Sequence, residues 1–284
     1  MPVSRHGTGP RAATRAFVSQ IHPVFMLPPI ATAWFGAALA ESLSVTVLLV
    51  HSVAVFAGLY TAHVKDGYVD FYGRGEDDDH PLTARGCRIA LAGSTAVFVV
   101  ATAVVGLLVD VVAVALMLPG WVIGFLHAPQ LDTNPVTATT GYPLGIAFAL
   151  LGGYYVQART LSPLVVSLAA IFLLVLSGIK AIDDATDYDY DRSIDKRTAA
   201  VVLGPAGARR VAYGLMAVGM LAVLVLAFGV PAMPTSAAFA PVVFAAVAAI
   251  AYRADAELAT MLLIRGSYLF LAVLVVAVGF RPLG

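Results

Sequence analysis

Apolar runs of about twenty residues, each closed by a short polar or turn-forming break, recur along the whole chain. Nine can be placed, at about 17–39, 44–64, 86–107, 109–127, 141–157, 163–182, 210–230, 235–253 and 258–279. Each approaches the length a helix needs to cross a hydrocarbon core about 30 Å thick. Breaks fall at Glu41-Ser42, at Asp110, in the polar run from Pro129 to Thr140, between Thr160 and Pro163, and between Pro231 and Thr235, where turn chemistry or charge interrupts the pattern. The pattern predicts an all-α integral membrane protein of nine transmembrane helices, read as one membrane domain over residues 1–284.

Composition agrees: 60% of residues are apolar, only 12% are charged and the mean hydropathy is +0.88, which excludes an ordinary soluble domain. The basic N-terminal stretch runs into a full-length span without a small-residue cleavage site, so it reads as a loose tail before a retained first helix. Cys87 is the one cysteine of the chain, so neither an intramolecular disulfide nor a zinc ligand set is expected.

Formal net charge is zero, with 17 basic and 17 acidic residues, so bulk charge points to no nucleic acid partner. The distribution is more informative. With the N-terminus inside, 15 basic residues fall on the inner side and only Arg159 and Arg281 on the outer side, as the positive-inside rule requires. Six acidic residues lie between Asp66 and Asp79 and six between Asp183 and Asp195, so both acid-rich segments are expected at the cytoplasmic face of the cell membrane.

In the second segment Asp184, Asp187 and Asp191 share one face if the sixth helix continues through them. Their mutual repulsion, at a helix end where the macrodipole is already negative, calls for a compensating cation. Mg²⁺ fits, because it takes carboxylate oxygens together with substrate phosphate oxygens. A solvated acidic loop is the plain alternative. In the first segment Asp66 and Asp70 are four residues apart, with His63 one turn earlier on the same face, whereas Asp77 to Asp79 follow Gly73 and Gly75 into a loop. Lys65 and Arg74 accompany the acids of the first segment and Lys180, Arg192, Lys196 and Arg197 those of the second; Lys65, Arg192, Lys196 and Arg197 are candidates to bind a diphosphate, although Arg192 is also placed to pair with Asp189 or Asp195. Tyr68, Tyr188 and Tyr190 are candidates to shield a carbocation, or interface anchors.

The run Asp184-x-x-Asp187-x-x-x-Asp191-Arg192, followed by Lys196-Arg197-Thr198 and Val202-Leu203-Gly204, resembles the second aspartate-rich motif of the UbiA superfamily of intramembrane prenyltransferases. The resemblance covers the whole chain through the nine-span layout. It implies a UbiA-like bundle of nine helices around a central cavity. Mg²⁺ would sit between Asp66 and Asp70 on one side and Asp184, Asp187 and Asp191 on the other, and a polyprenyl diphosphate would lie with its tail in a groove open to membrane lipids. The first motif departs from the family pattern: Lys65 stands where an Asn is usual, Val69 and Gly73 occupy two aspartate positions, and His80-Pro81 and His22-Pro23 replace Arg-Pro pairs. The implied activity is transfer of a polyprenyl group to a lipophilic acceptor. The departures leave a UbiA-type terpene cyclase, which needs no acceptor, as the alternative. A cation-transporting or non-enzymatic membrane protein is a third reading; it calls for charges within the spans.

Overall fold

Capping residues and prolines mark where the helices begin. The computed structural model describes residues 2–280; Arg281, read above as an outer basic residue, lies outside them. In chain order come α1 (Pro10–Val18), α2 (Pro23–Ala38), α3 (Val45–Tyr68), α4 (Ala84–Leu108), α5 (Val111–Leu126) and α6 (Pro135–Ala158). They are followed by α7 (Pro163–Asp183), the short α8 (Tyr188–Ser193) and α9 (Ala199–Leu203), then α10 (Pro205–Gly229), α11 (Phe239–Ala251) and α12 (Ala256–Phe280). Asp110 caps α5 by accepting from the Val112 and Ala113 amides, and Thr83, Asn134 and Ser162 do the same for α4, α6 and α7, satisfying donors that a helix start leaves open.

All nine apolar runs are helical among the described residues, and seven helices are long and apolar enough to cross a membrane: α3 with its extension, α4, α5, α6, α7, α10 and α12. The first run, expected as one helix over 17–39, is broken. α1 and α2 meet at a 63° bend, because Pro23 pushes His22 into extended backbone (φ −110°, ψ 91°). The eighth run is an α11 of 13 residues entered through a 3₁₀ turn, Thr235–Ala238. α6 begins six residues before the apolar signal. Its polar first turns are satisfied locally, Thr140 bonding the Val136 carbonyl at 2.7 Å and Thr137 that of Asn134 at 3.3 Å. Nor is the tail before α1 loose: Ser4 pairs with Leu82 in an antiparallel bridge, and Arg5 stands 4.2 Å over the Phe71 ring.

Prolines also explain two tyrosines. Pro28 and Pro29 inside α2 lack the amides that the carbonyls of Val24 and Phe25 would meet four residues on. Tyr268 on α12 donates to the Val24 carbonyl at 2.5 Å, and Tyr142 on α6 to that of Phe25 at 2.7 Å. Three helices are thereby joined at one level of the bundle.

The largest core cluster runs through α7, α10 and α12, with Phe35, Phe172, Phe270 and Phe244 in successive edge-on contact. A second joins α3, α4, α5 and α6 around Phe98 and Met117. Apolar residues that face outward, such as Leu107 at 88% and Phe228 at 72% exposed, suit lipid contact. Small residues permit the closest crossing: a methyl group at Gly153 would overlap the Ala33 carbonyl, and one at Gly36 would overlap that of Leu150. Gly153→Ala is therefore expected to force α2 and α6 apart and to destabilise by roughly 1–3 kcal/mol, measurable as a lower thermal midpoint in detergent. An unchanged midpoint would show that this crossing relaxes freely.

Candidate functional site

One face of α3 lines a cavity of about 630 Å³. Its contributors, His51, Ala54, Val55, Gly58, Leu59, Ala62, His63, Asp66 and Gly67, with Asp70 just beyond its end, recur at helical spacing. From His51 to Asp66 the wall extends about 22 Å at 1.5 Å per residue. The remaining walls are mostly apolar and include Phe25 and Pro28 of α2, Met117 and Trp121 of α5, Ile146 of α6, Ile179 of α7 and Ile264 of α12. Polar groups gather at one end: Asp66, Asp70, Asp77, Asp79, His22, His63, His80, His127, Lys180 and Asp183 all line it. Asp77 and Asp79 are exposed, so this end is the mouth.

Both acidic segments reach the mouth, and ion pairs tie them together. α3 continues past Tyr68 in a wider π turn, Val69–Arg74, ended by Gly75 in the left-handed region (φ 65°), where glycine carries no steric penalty. This extension carries Asp70 to the cavity and aims Arg74 at Asp70 (3.2 Å) and at Asp132 (2.5 Å) in the loop after α5. Lys196 bridges the segments, 3.3 Å from Glu76 and 3.7 Å from Asp191. Lys180, one turn before the end of α7, holds Asp184 at 2.5 Å and Asp183 at 3.0 Å, and Thr139 of α6 lies 3.5 Å from Asp184.

Burial makes these charges costly. Asp184 and Asp191 are buried, and loss of water raises both above the usual carboxylate range despite the opposing pull of Lys180 and Lys196. Burial alone would lower Lys196, but the attraction of Glu76 and Asp191 prevails and raises it. Asp184 and Asp191 are thus carboxylates held out of water beside the ammonium groups of Lys180 and Lys196; of the second segment it is Asp183, with Lys180 just before it, that lines the cavity, whereas Asp184, Asp187, Asp191, Lys196 and Arg197 are not among its lining residues.

The candidates read from the sequence are distributed unevenly. Asp66 and Asp70 line the cavity, with Asp66 3.8 Å from His127, and His63 joins them as its position on the helix face predicted. The second segment is not one continuous helix. α7 stops at Asp183, a turn follows, and α8 restarts at Tyr188, as adjacent aspartates at a helix C-terminus would dictate. Asp184 and Asp191 are consequently buried while Asp187 is exposed on the turn. Lys65 is directed towards the Phe125 ring, 5.6 Å from its centre, and is not among the residues lining the cavity. Arg192 and Arg197 are exposed; Arg192 has no ion pair with Asp189 or Asp195 among the described residues, and the Arg197 amide donates to the Asp132 carbonyl at 3.1 Å.

Asp183, Glu76, Asp132 and His127 were given no role from the sequence, and Lys180, though it accompanies the acids, was not among the diphosphate candidates. Lys180 had a local signal, since Asp183 and Asp184 follow it at three and four residues. The Asp132 contact to Arg74 spans 58 residues and has none.

No group of three or more His, Cys, Asp or Glu side chains among the described residues is close enough to hold a metal by itself. Mg²⁺ does not require one, because it binds through one or two carboxylates plus phosphate oxygens and water. Asp66 and Asp70 supply hard oxygen donors of that kind.

No protein-family model matches the chain, and no curated protein matches it in sequence. Its shape is matched by several solved structures. A UbiA homologue from Aeropyrum pernix K1 in its apo form is 19% identical with a TM-score of 0.71, over 90% of this chain and 98% of the other. A digeranylgeranylglyceryl phosphate synthase is 14% identical with a TM-score of 0.73, over 95% and 98%. A UbiA homologue from Archaeoglobus fulgidus, bound to GPP and Mg²⁺, is 15% identical with a TM-score of 0.68, over 95% and 99%.

Proposed function

We propose that this chain, which has the UbiA fold, is a Mg²⁺-dependent intramembrane prenyltransferase that transfers a polyprenyl group from a prenyl diphosphate to a lipophilic acceptor. One observation carries the reading: carboxylates from both acidic segments stand at the mouth of a cavity whose walls then run apolar for about 22 Å. That is the polarity of a molecule with a highly charged head and a long hydrocarbon tail. Solved relatives in fold are described as bound to GPP or DMAPP together with Mg²⁺, which supports the same assignment.

Asp66 on α3 and Asp70 on its π extension, which line the cavity, are the metal-binding residues of this proposal together with Asp184, Asp187 and Asp191 of the second segment, whose neighbour Asp183 lines the same cavity. Mg²⁺ bound there would neutralise diphosphate oxygens and make the diphosphate a better leaving group. Lys196, Arg197 and Arg192 meet the diphosphate in this reading; Lys180, which lines the cavity, replaces Lys65, which does not. Lys180 and Lys196 are paired with Asp184 and Asp191, and in this reading their ammonium groups also serve the diphosphate. The allylic C–O bond breaks with its electron pair leaving on the diphosphate, and an electron-rich acceptor atom attacks the carbon and then loses a proton. Charge placed in advance at the leaving group lowers this barrier, and the apolar walls keep water from the cation. The mouth faces the cytoplasm in this reading, because the basic residues around it are the inner set of the positive-inside count.

The test is product identification. Protein in liposomes is given labelled geranylgeranyl diphosphate and Mg²⁺, with and without lipid extract from the source organism. A prenylated product that requires the extract is expected. A terpene hydrocarbon or alcohol formed without extract would assign a cyclase instead, and unconsumed substrate in both arms would overturn the proposal.

A further inference from the structure

The cavity does not end as a hydrocarbon groove should. His51 lines its deep end, about 22 Å from Asp66 along α3. The ring is 1% exposed, and neither Nδ1 nor Nε2 has a hydrogen-bond partner. The Ala149 carbonyl lies near the ring, but neither ring nitrogen reaches a partner at hydrogen-bond distance and angle. A buried polar group left unpaired costs about 1–3 kcal/mol, whereas a leucine here would line a hydrocarbon tail at no such cost. α6 makes room for the ring: a Cβ at Gly152 would lie 2.7 Å from His51 Cε1. Nearer the mouth, Trp121 packs against Gly58 and lines the same cavity, and its indole N–H is also buried without a partner.

We propose that the deep end of the cavity is a hydrogen-bonding subsite centred on His51 that takes the hydroxyl or carbonyl oxygen of a lipophilic ligand. A neutral imidazole offers one donor and one acceptor, which a hydroxyl matches in both directions and a hydrocarbon chain matches in neither. The apolar walls between mouth and floor require the rest of the ligand to be greasy, so the ligand class is an oxygenated isoprenoid or similar lipid. This assignment is independent of the chemistry at the mouth.

Binding to the purified full-length protein in nanodiscs tests it, with two probes that lack diphosphate: geranylgeraniol and the matching C20 hydrocarbon. His51→Leu is expected to weaken the alcohol about tenfold while leaving the hydrocarbon as tight or tighter, which also shows that the variant folds. His51→Gln should restore much of the alcohol affinity. Gly152→Ala, which displaces the ring from the other side, should lower it as His51→Leu does. Unchanged alcohol affinity in both His51→Leu and Gly152→Ala would overturn the subsite, as would failure of the wild type to bind the alcohol. Either failure leaves prenyl transfer standing, because that is read from diphosphate consumption.

Discussion

Asp66→Asn should leave the helix bundle folded and lower Mg²⁺-dependent diphosphate release from a prenyl diphosphate by roughly 10²–10³-fold. The two halves of this expectation have separate grounds. Asp66 lines the mouth, its side chain is 42% exposed and its ion-pair partner among the described residues is His127 at 3.8 Å, so removing its charge disturbs little of the fold. It also stands beside Asp70 in the cavity lining, and asparagine keeps its shape while removing the negative charge a divalent cation needs. Asp70→Asn would be harder to interpret, because Asp70 also holds Arg74 and, through it, Asp132. The measurement is diphosphate release by the variant in liposomes beside its thermal midpoint. Full activity with a normal midpoint would remove Asp66 from the metal site.

Lys180→Met should be the most destabilising single change at the mouth, by about 3–5 kcal/mol. Asp184 is 3% exposed and lies 2.5 Å from the Lys180 ammonium; removing the cation strands a buried carboxylate, which is the expensive way to break such a pair. Asp184→Asn added to Lys180→Met should recover a large part of the loss, since the stranded charge disappears with it, and the double-mutant cycle isolates that coupling. Activity should not recover, because the double variant lacks both a proposed metal ligand and a cation for the diphosphate. Additive losses of stability would show that Lys180 and Asp184 act independently.

How much could be read from the sequence follows from which links are local. All nine apolar runs are helical among the described residues, seven of them as helices long and apolar enough to cross a membrane, with Asp110 a true cap and Ser162-Pro163 a true start, because burial in lipid imposes a length signal that needs no knowledge of neighbours. Boundaries failed where backbone chemistry overrode hydropathy. His22-Pro23 splits the first run, and threonines bonding their own helix let α6 begin before it turns apolar. At the site, the two aspartate clusters were legible from composition and spacing. The continuous helix through Asp184, Asp187 and Asp191 was not borne out, since the repulsion recognised there is relieved by ending the helix at Asp183. Lys65 looked like a diphosphate ligand by proximity to Asp66, yet adjacent residues on a helix point about 100° apart, and only Asp66 faces the cavity. His51 was invisible for a different reason: a lone histidine in an apolar run acquires meaning only once the cavity beside it is known.

The claim on which the rest depends is that the mouth ionises a prenyl diphosphate. Liposomes carrying the protein, supplied with ³²P-labelled geranylgeranyl diphosphate and a lipid extract of the source organism as acceptor, measure this as released labelled diphosphate. Release is expected to require Mg²⁺, to stop on chelation and to be lost in Asp66→Asn. Release that is indifferent to chelation and to Asp66→Asn, or no release from folded wild-type protein, would contradict it.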